Sequence, residues 1–453
     1  MIYPNEKVWV FAKVVEINYG ILYSEAIDPL KILNNDFGEN DLEINYIQPW
    51  SFFYIVVLPI QWHHVHRLEE KINLKSLDFN ELTIVLGNES CDLDSVISSL
   101  VYAIFLHWQH QQIKCKVCTK NKRDEEAYKD DIFVSILNVD REDYDLKTEV
   151  VYVLSEHGIN NRHLVFKNDV DLQQLVVKKP TKVVLVDHHT LSAHDRFLAP
   201  YVTEIIDHRP TDRSDWNFKD DTRSTIEVVG SCATLVARRI KELSSLMGRD
   251  VDFFNTYPFI SDMLHGTIIL DTVNFSKEFD KTTPQDVEMV LFLEDLLKSQ
   301  DCQLYRKTKL DHLTRAKADV SSLTAAQLLR KDAKTFGHIL VPSFPILVQE
   351  FLQKSNVKEA LKESLHKRNC SIVLLLGMDL SAGMKRDVAI YANETEIAEQ
   401  LGSFLERWRD SYLQLECKEA PSPVSRYYRQ LNLAATRKQY IPALNQYLSS
   451  GNQ

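Results

Sequence analysis

Residues 183–189 read VVLVDHH, an apolar run that ends in one aspartate and two histidines. Four consecutive apolar residues, three of them β-branched, predict a buried β-strand that ends at Val186. Asp187, His188 and His189 then lie at the carboxyl end of that strand, which is where parallel α/β sheets bind ligands. The stretch therefore predicts both the fold class and the place of a functional site.

Two further segments place acids at strand ends. LTIVL, residues 82–86, predicts a buried strand followed by a turn at Gly87. Apolar residues with helical spacing follow from residue 97 to 108, so Asp92 and Asp94 should lie in a strand-to-helix loop. Asp207 and His208 end a second run in EIIDHRP. These segments predict acids and an imidazole at the same edge of the sheet as Asp187.

A fourth segment, HGTIILD at residues 265–271, ends in Asp271, and its periodicity fits a strand or a helix. Additional strands are predicted at 132–137, 150–154 and 164–166. Strands that alternate with helical patterns predict an α/β fold with a mostly parallel sheet. The run VGSCAT, residues 229–234, should begin a helix, whose first N–H groups would either face an anion or serve as a packed cap.

Composition and charge limit the function. The chain has 453 residues, 44% of them hydrophobic, which is enough for two or three domains. A net charge of -11 argues against a general nucleic-acid or membrane-surface binder. Seven scattered cysteines favour a reducing compartment, and the chain opens without a basic signal region. We therefore expect a cytoplasmic protein, with the mitochondrial matrix left open because residues 1–79 carry no motif that we can assign.

Clustered aspartates predict a metal site. Unpaired carboxylates repel one another and raise each other's pKa, so such a cluster requires a cation. Mg²⁺ and Mn²⁺ prefer carboxylate oxygens, and an added imidazole favours Mn²⁺ or Co²⁺. Two divalent ions can hold the attacking and leaving oxygens of a phosphoryl transfer and activate water. The cluster therefore predicts a metal-dependent reaction at phosphate.

The order of the motifs resembles the DHH phosphoesterase superfamily, and within it the prune-type exopolyphosphatases related to family II inorganic pyrophosphatases. The matching segments are NESCDLD, LVDHH, DHRP, VGSCAT, HGTIILD and LRKD. The resemblance implies a DHH domain at 80–300, a smaller α/β DHHA2 domain at 307–450 and an active site in the cleft between them. Residues 1–79 would be an unassigned N-terminal extension.

The resemblance also implies a centre of two metal ions, Mn²⁺ or else Mg²⁺ or Co²⁺. Asp92 would bind one ion and Asp94 the other, and Asp187 would bridge them. His208 and Asp271 would complete the second ion's ligands, with Asp207 supporting His208. His188 and His189 are also expected to have catalytic roles, because they would orient Asp187 or the metals.

Two positions depart from the pyrophosphatase pattern. Asn88 stands where those enzymes carry a metal-binding histidine, and a neutral amide oxygen would bind a metal weakly. Arg209 stands where they carry a second histidine, and its guanidinium could bind a phosphate with two hydrogen bonds. Both changes make efficient pyrophosphate hydrolysis less expected and favour longer or differently shaped substrates.

The second domain should supply cations that bind the substrate. The resemblance points to Lys317, Arg330, Arg437 and Lys438, although each could be ordinary surface charge and Arg330 could form a structural ion pair. The implied reaction is phosphate release from short-chain polyphosphate by metal-activated water. Cyclic nucleotide phosphodiesterase, inorganic pyrophosphatase, and a weakly active scaffold with regulatory protein partners are the alternatives.

Overall fold

The computed structural model describes residues 79–113, 131–211, 218–380 and 383–450. The N-terminal extension predicted from the sequence lies outside this part, apart from residue 79. The described residues build two β-sheets with helices packed against them. The α/β fold class predicted from the sequence is confirmed.

The first sheet has six parallel strands in the order β3-β2-β1-β4-β5-β6. The central pair is in register, with Ile84 of β1 opposite Val183 of β4. Both strands are buried along most of their length because helices cover the two faces of the sheet. The strands are β1 (Leu82–Leu86), β2 (Ile132–Leu137), β3 (Val165–Phe166), β4 (Thr181–Val186), β5 (Val202–Asp207) and β6 (Arg223–Ile226).

Seven helices accompany this sheet in the described chain, and an eighth, α8, leads towards the second sheet. A short 3-10 segment, Arg141–Leu146, precedes α2. The helices are α1 (Leu93–Ile113), α2 (Thr148–Glu156), α3 (Leu172–Lys178), α4 (Cys232–Leu246), α5 (Asp252–Thr256), α6 (Pro258–Asp271), α7 (Pro284–Leu297) and α8 (Cys302–Ala318).

Two sequence assignments change in the structure. The strand predicted at 150–154 is wrong, because these residues belong to α2. Val150, Val153 and Leu154 are buried at helical spacing, which a short apolar run cannot distinguish from a strand. HGTIILD, left open between strand and helix, forms the end of α6, which starts at Pro258. Asp271 therefore reaches the site from a helix and not from a strand end.

The second sheet is mixed and runs in the order β12-β13-β11-β10-β8-β7, with β9 paired to β10. The apolar stretches near 339–347 and 371–376, which favour strands by their sequence, contribute β8, β9 and β10. The strands are β7 (Lys334–Phe336), β8 (Ile339–Val341), β9 (Ser343–Phe344), β10 (Ile372–Asp379), β11 (Lys385–Ala392), β12 (Leu415–Lys418) and β13 (Arg426–Gln430). The accompanying helices are α9 (Ala325–Leu328), α10 (Val348–Phe351), α11 (Val357–Lys367), α12 (Thr395–Arg407) and α13 (Arg437–Ser449).

One residue from the first-sheet region enters the hydrophobic core of the second. Leu146, at the end of the 3-10 segment, is 7% exposed and packs in the cluster that contains Leu328 and Phe344. Nearby, the side chain of Gln327 donates a hydrogen bond to Asp145 at 3.0 Å. The 3-10 segment is therefore a principal contact between the two sheet regions.

Two findings concern the cellular setting. The five cysteines of the described residues, including Cys91 and Cys232, are free thiols. Among the helices that the structure describes, none combines the length and apolarity that crossing a bilayer requires.

Candidate active site

The carboxyl edge of the parallel sheet brings three predicted segments together. Asp187 directly follows β4, and Asp207 is the last residue of the neighbouring β5. Asp94 lies in the first turn of α1, which follows β1 on the other side of β4. Because these parallel strands are adjacent, the residues that follow them meet. Asp187 has a φ of 60°, a left-handed conformation that aspartate adopts more readily than most residues.

Asp94, Asp187 and His208 form a compact group with metal-ligand chemistry. One ligand atom from each lies within 4.8 Å of the others. His208 Nε2 is 3.3 Å from Asp187 Oδ1 and 3.8 Å from Asp94 Oδ2. His208 Nδ1 donates to the carbonyl oxygen of Val229 at 3.0 Å, which turns the Nε2 atom towards the carboxylates. Metal-binding histidines are commonly oriented in this way.

The pKa values in this group indicate a need for positive charge. Burial, and then the charge of Asp94, raise the pKa of Asp187 to about 7. Burial also raises the pKa of Asp94, although His208 opposes this effect. Burial alone would lower the pKa of His208, but its hydrogen bond to Asp187 and the charge of Asp94 raise it to about 9. A divalent cation would remove the repulsion that keeps these acids from ionising.

Asp271 provides the clearest test of whether the group fits a metal. Burial, followed by the charge of Asp94, raises its pKa well above the usual value. Its buried Oδ2 atom has no hydrogen-bond partner among the described residues, although the Ser231 hydroxyl opposes the rise in the pKa. Such an oxygen costs free energy unless a hydrogen-bond donor or a cation contacts it. The described residues therefore fit a metal ion at this position.

Asp92 lies at the outer side of the group and also caps a helix. Its Oδ1 accepts the N–H of Ser95 at 3.2 Å, as expected for the residue before α1. Its Oδ2 accepts the hydroxyl of Ser90 at 3.1 Å. The negative charge of Asp92 contributes to the raised pKa of Asp187, after burial and the charge of Asp94. The five-residue ligand set remains our proposal.

VGSCAT positions Asp94. It begins α4 as predicted, and the first N–H groups of that helix face the Asp94 carboxylate. Cys232 N–H donates to Oδ2 at 2.7 Å, and Ala233 N–H donates to Oδ1 at 2.8 Å. The sequence left open whether this helix N-terminus faces an anion or serves as a packed cap. It faces an anion, and that anion is the Asp94 carboxylate of the chain itself.

A buried carboxylate behind the site, Asp286, fixes the start of α4. It accepts the N–H of Gly230 at 2.9 Å, the hydroxyl of Thr234 at 2.6 Å, and both the N–H and hydroxyl of Thr283 at 2.7 and 2.8 Å. A Cβ at Gly230 would lie 3.0 Å from Asp286 and 2.6 Å from Thr272. Sequence reasoning missed Asp286. The capping-box spacing from Thr283 could have assigned its role in α7, but not its contact with Gly230.

Asp286→Ala is expected to lower the free energy of unfolding by about 3 kcal/mol or more, since four donors that converge on one buried carboxylate lose their acceptor. Metal affinity should also fall, because α4 no longer holds Asp94 in place. Urea unfolding and metal titration measure the two effects. Asp301→Ala is the matched control. Asp301 also caps a helix, but through one bond to the N–H of Leu304 at 3.0 Å, and should cost about 1 kcal/mol. Equal losses in the two variants would contradict the anchoring role.

Asn88 and Arg209 both contact Asp187. Asn88 Nδ2 donates to Asp187 Oδ2 at 2.5 Å, while its Oδ1 accepts the N–H groups of Ser90 and Cys91 at 2.8 and 3.1 Å. Arg209 donates to the carbonyl oxygen of Asp187 at 2.5 Å and to its Oδ1 at 3.1 Å. The amide oxygen expected to face a metal is thus used within the loop, and the amide N–H₂ group faces the site.

The two histidines after Asp187 contact other neighbours. His188 Nδ1 lies 2.9 Å from the carbonyl oxygen at the end of β4, and burial lowers its pKa. His189 Nδ1 bonds to Asp207 Oδ2. Asp207 Oδ1 accepts the backbone N–H of His208 at 2.8 Å. Asp207 therefore contacts His208 through the backbone N–H of that residue, and it also orients the ring of His189.

A cleft of about 640 Å³ lies between the two sheet regions and extends to Asp92. Two of the predicted substrate-binding residues, Lys317 and Arg330, line it. Arg330 Nε is 2.8 Å from Asp143 Oδ1, so Arg330 forms the ion pair that the sequence left open. A role of Arg330 in substrate binding stays a proposal.

The other two predicted cations lie at the start of α13. Arg437 Nη2 is 2.7 Å from Asp332 Oδ1, and Asp332 lines the cleft. Lys438 is exposed and does not belong to the cleft lining within the described chain. Arg437 thus reaches the cleft only through its ion pair with Asp332, and Lys438 lies outside the cleft lining. The roles of both residues in substrate binding remain proposals.

Three lysines that sequence reasoning did not single out also line the cleft: Lys147, Lys167 and Lys331. Lys331 belongs to the quoted LRKD motif, but only Arg330 of that motif was selected. Lys147 and Lys167 lie in segments without a motif. Only the fold brings them beside Asp92.

Known proteins match both sheet regions. The model of the DHH family N-terminal domain matches residues 83–257, and that of the DHHA2 domain matches residues 311–447. Exopolyphosphatase PRUNE1 of Mus musculus is 32% identical over 380 residues, which cover 82% of this chain and 77% of that protein. The chain belongs to the prune-type exopolyphosphatases of the DHH phosphoesterase superfamily.

This prune-type chain also matches a putative exopolyphosphatase of Schizosaccharomyces pombe, with 29% identity over 374 residues that cover 80% of this chain and 90% of that protein. A solved structure, the putative family II inorganic pyrophosphatase of Methanococcus jannaschii, shares 19% identity at a TM-score of 0.40, with 80% and 98% of the two chains covered. The family predicted from the motifs is confirmed, and the chain is a phosphohydrolase.

Proposed function

We propose that this prune-type chain hydrolyses phosphoanhydride bonds and releases terminal phosphate from short polyphosphates. The observation that carries the proposal is the group of Asp94, Asp187 and His208, with a lysine-lined cleft that extends to the neighbouring Asp92. The exopolyphosphatase names of its relatives support the same reaction. The acids of this group and the lysines that line the cleft suit a metal-assisted reaction on a polyanion.

The proposed centre holds two divalent ions, Mn²⁺ or else Mg²⁺ or Co²⁺, on Asp92, Asp94, Asp187, His208 and Asp271. When bound, such ions make hydroxide available near neutral pH and neutralise phosphate oxygens. The chain contributes fixed geometry, since the N-terminus of α4 holds Asp94 and a backbone carbonyl orients the imidazole of His208. Preformed ligands need little reorganisation when the substrate binds.

Arg209 and His189 are assigned to the substrate side. Arg209 would exchange its contacts with Asp187 for phosphate oxygens, which a guanidinium binds with two parallel hydrogen bonds. His189 has its Nδ1 fixed by Asp207, so its Nε2 can carry the proton that the leaving phosphate requires. Lys317, Arg330, Arg437 and Lys438 are assigned, with Arg209, to substrate binding.

A direct test measures phosphate release from tripolyphosphate, tetrapolyphosphate and pyrophosphate, and AMP formation from cyclic AMP, with Mn²⁺ or Mg²⁺. We expect the two polyphosphates to be hydrolysed fastest. Faster hydrolysis of cyclic AMP or of pyrophosphate would replace the polyphosphate assignment. If no substrate is hydrolysed above an inactive Asp187 variant, the enzymatic proposal fails.

A weakly active scaffold is the second candidate, because the chain itself satisfies Asp187. Asn88, His208 and Arg209 all contact its carboxylate. Isothermal titration with Mn²⁺ separates the candidates. If the chain is an enzyme, Mn²⁺ binding should be saturable and weaker in the Asp271→Asn variant. A scaffold does not require such binding. Regulatory protein partners and a cytoplasmic or mitochondrial-matrix location stay proposals from the sequence.

Asn88→His is expected to raise metal affinity or pyrophosphate hydrolysis, because an imidazole replaces an amide N–H₂ group beside Asp187. The metal-free variant should also lose about 1–3 kcal/mol of stability, since the N–H groups of Ser90 and Cys91 lose their acceptor. Mn²⁺ titration, pyrophosphate assays and urea unfolding measure these effects. Unchanged metal affinity and activity would place residue 88 outside the metal site.

A further inference from the structure

Four lysines from different segments converge on the cleft beside Asp92. Lys147 lies between the 3-10 segment and α2, and Lys167 follows β3. Lys317 is in the last turn of α8, and Lys331 follows α9. The cleft therefore receives ammonium groups from both sheet regions.

Two of these ammonium groups are held in place but keep free hydrogen-bonding capacity. Lys147 Nζ donates to the carbonyl oxygen of Ser90, in the loop that carries Asp92. Lys331 Nζ donates to the carbonyl oxygen of Leu146 at 2.5 Å. An ammonium group has three N–H donors, so one such bond leaves two for a ligand. The lysines are thus oriented by backbone contacts and not neutralised by them.

The positive charges lie close enough to affect one another. Burial lowers the pKa of Lys331, and the charges of Lys147 and Lys317 lower it further, against the opposing charge of Glu149. An anion between these groups would relieve both the burial cost and the mutual repulsion. The cleft is therefore better suited to an anionic ligand than to water alone.

The balance of charges in the cleft lining favours such an anion. Six line it, and two of them are engaged by arginines: Asp143 by Arg330 and Asp332 by Arg437. A third, Asp92, is a proposed metal ligand. Only three carboxylates therefore remain to balance the charges of four lysines. The cleft, at about 640 Å³, can also contain a ligand of several phosphate groups.

We propose that Lys147, Lys167 and Lys331 bind the phosphates that lie beyond the two nearest the metal ions, and thereby set a preference for chains of three or more phosphates. This inference rests on the proposed polyphosphate hydrolysis. Pyrophosphate, with two phosphates, is too short to use these lysines fully. A longer chain gains their charge-assisted hydrogen bonds, which are among the stronger ones in proteins.

The test is the double variant Lys147→Gln/Lys167→Gln, which removes two charges from the same sheet region and leaves the domain contact of Lys331 intact. We expect the KM for tripolyphosphate and tetrapolyphosphate to rise about tenfold. The kcat for these substrates and the inhibition constant for pyrophosphate should change less than about twofold. The Lys147→Arg/Lys167→Arg variant should restore most of the affinity.

Lys178→Gln is the matched control, because Lys178 lies at the end of α3, bonded to Gln174 and outside the cleft lining of the described chain. Calorimetric titration of tripolyphosphate without divalent ions measures binding separately from turnover. Unchanged tripolyphosphate affinity in the folded Gln variant, or no tripolyphosphate binding by the wild type, overturns the inference. If the wild type binds tripolyphosphate through these lysines but releases no phosphate, the inference stands and the proposed function fails.

Discussion

Asp187→Asn is expected to lower phosphate release from tripolyphosphate by about a thousandfold or more, because the proposed bridge between the ions loses its charge. The same change should leave the metal-free protein as stable as the wild type, or more stable. Burial and the charge of Asp94 raise the pKa of Asp187 to about 7, so ionising this carboxyl opposes folding. Loss of activity without loss of stability is the expected combination for a functional acid.

The backbone at this residue decides which substitution is informative. Asp187 has a φ of 60°, where asparagine is tolerated and alanine adds strain. An asparagine can also turn its amide oxygen towards the Nδ2 group of Asn88, which lies 2.5 Å from Asp187 Oδ2. Asp187→Ala would combine lost charge with backbone strain and a lost hydrogen bond. Asp187→Asn removes the charge without adding the backbone strain or losing the hydrogen bond.

The comparison pairs phosphate release with urea unfolding in the absence of metal. Asp220→Asn is the control, since it removes one charge from an exposed aspartate in the loop before β6. We expect it to keep wild-type activity and stability. Activity of Asp187→Asn within tenfold of the wild type would exclude Asp187 from the metal centre. A large loss of metal-free stability would show that its main role is structural.

Removing divalent metal should destabilise the protein more at about pH 8 than at about pH 6. The pKa of Asp187 is about 7 in the folded chain and near 3.8 in the unfolded one, so between these values the folded chain binds more protons. Its contribution to stability therefore decreases as pH rises through that range. The pKa of His208 rises from 6.5 to about 9 on folding, and the stability this provides below pH 6.5 is lost as pH rises through 9.

Metal binding should reverse this loss. Ions bind the deprotonated carboxylates and the neutral imidazole, so affinity increases with pH. At about a thousand times the Kd, a bound ion adds about 4 kcal/mol to the free energy of unfolding. We expect the rise in Tm on adding Mn²⁺ to be larger at about pH 8 than at about pH 6.

Calorimetric or fluorescence melting curves with Mn²⁺ and with a chelator measure this effect. Asp271→Asn should reduce the Mn²⁺-dependent rise in Tm, since the unpartnered Oδ2 atom of Asp271 is a proposed ligand. Asp220→Asn should leave it unchanged. A metal effect that is equal at both pH values, or equal in both variants, would argue against the proposed ligand set.

The sequence predicted much of the first sheet because β1, β2, β4 and β5 contain short apolar runs, and the last two of these strands lead into aspartates. VVLVDHH was assigned to a buried strand, and β4 ends at Val186 as expected. The same reasoning failed at 150–154, where residues buried at helical spacing form α2. A run of five apolar residues fits both periodicities, and only packing against neighbours decides between them.

Contacts between distant segments could not be predicted from spacing. Asp286 lies more than fifty residues from Gly230, and its effect on Asp94 passes through the N-terminus of α4. Lys147 and Lys167 belong to no motif, yet both line the cleft at Asp92. Asn88 was predicted to be a weak metal ligand, but the turn around Ser90 engages its amide oxygen. Each of these roles depends on which segments the fold brings together.

The sequence by itself determined the chemistry of VVLVDHH and its companion motifs, because a buried strand that ends in an acid presents that acid at the ligand-binding edge of a parallel sheet. The family and its phosphohydrolase chemistry followed from those residues. The tertiary structure alone decided how Asp187 is held among Asn88, His208 and Arg209, and which lysines face the cleft. Those features arise from contacts across the fold, which local sequence patterns do not encode.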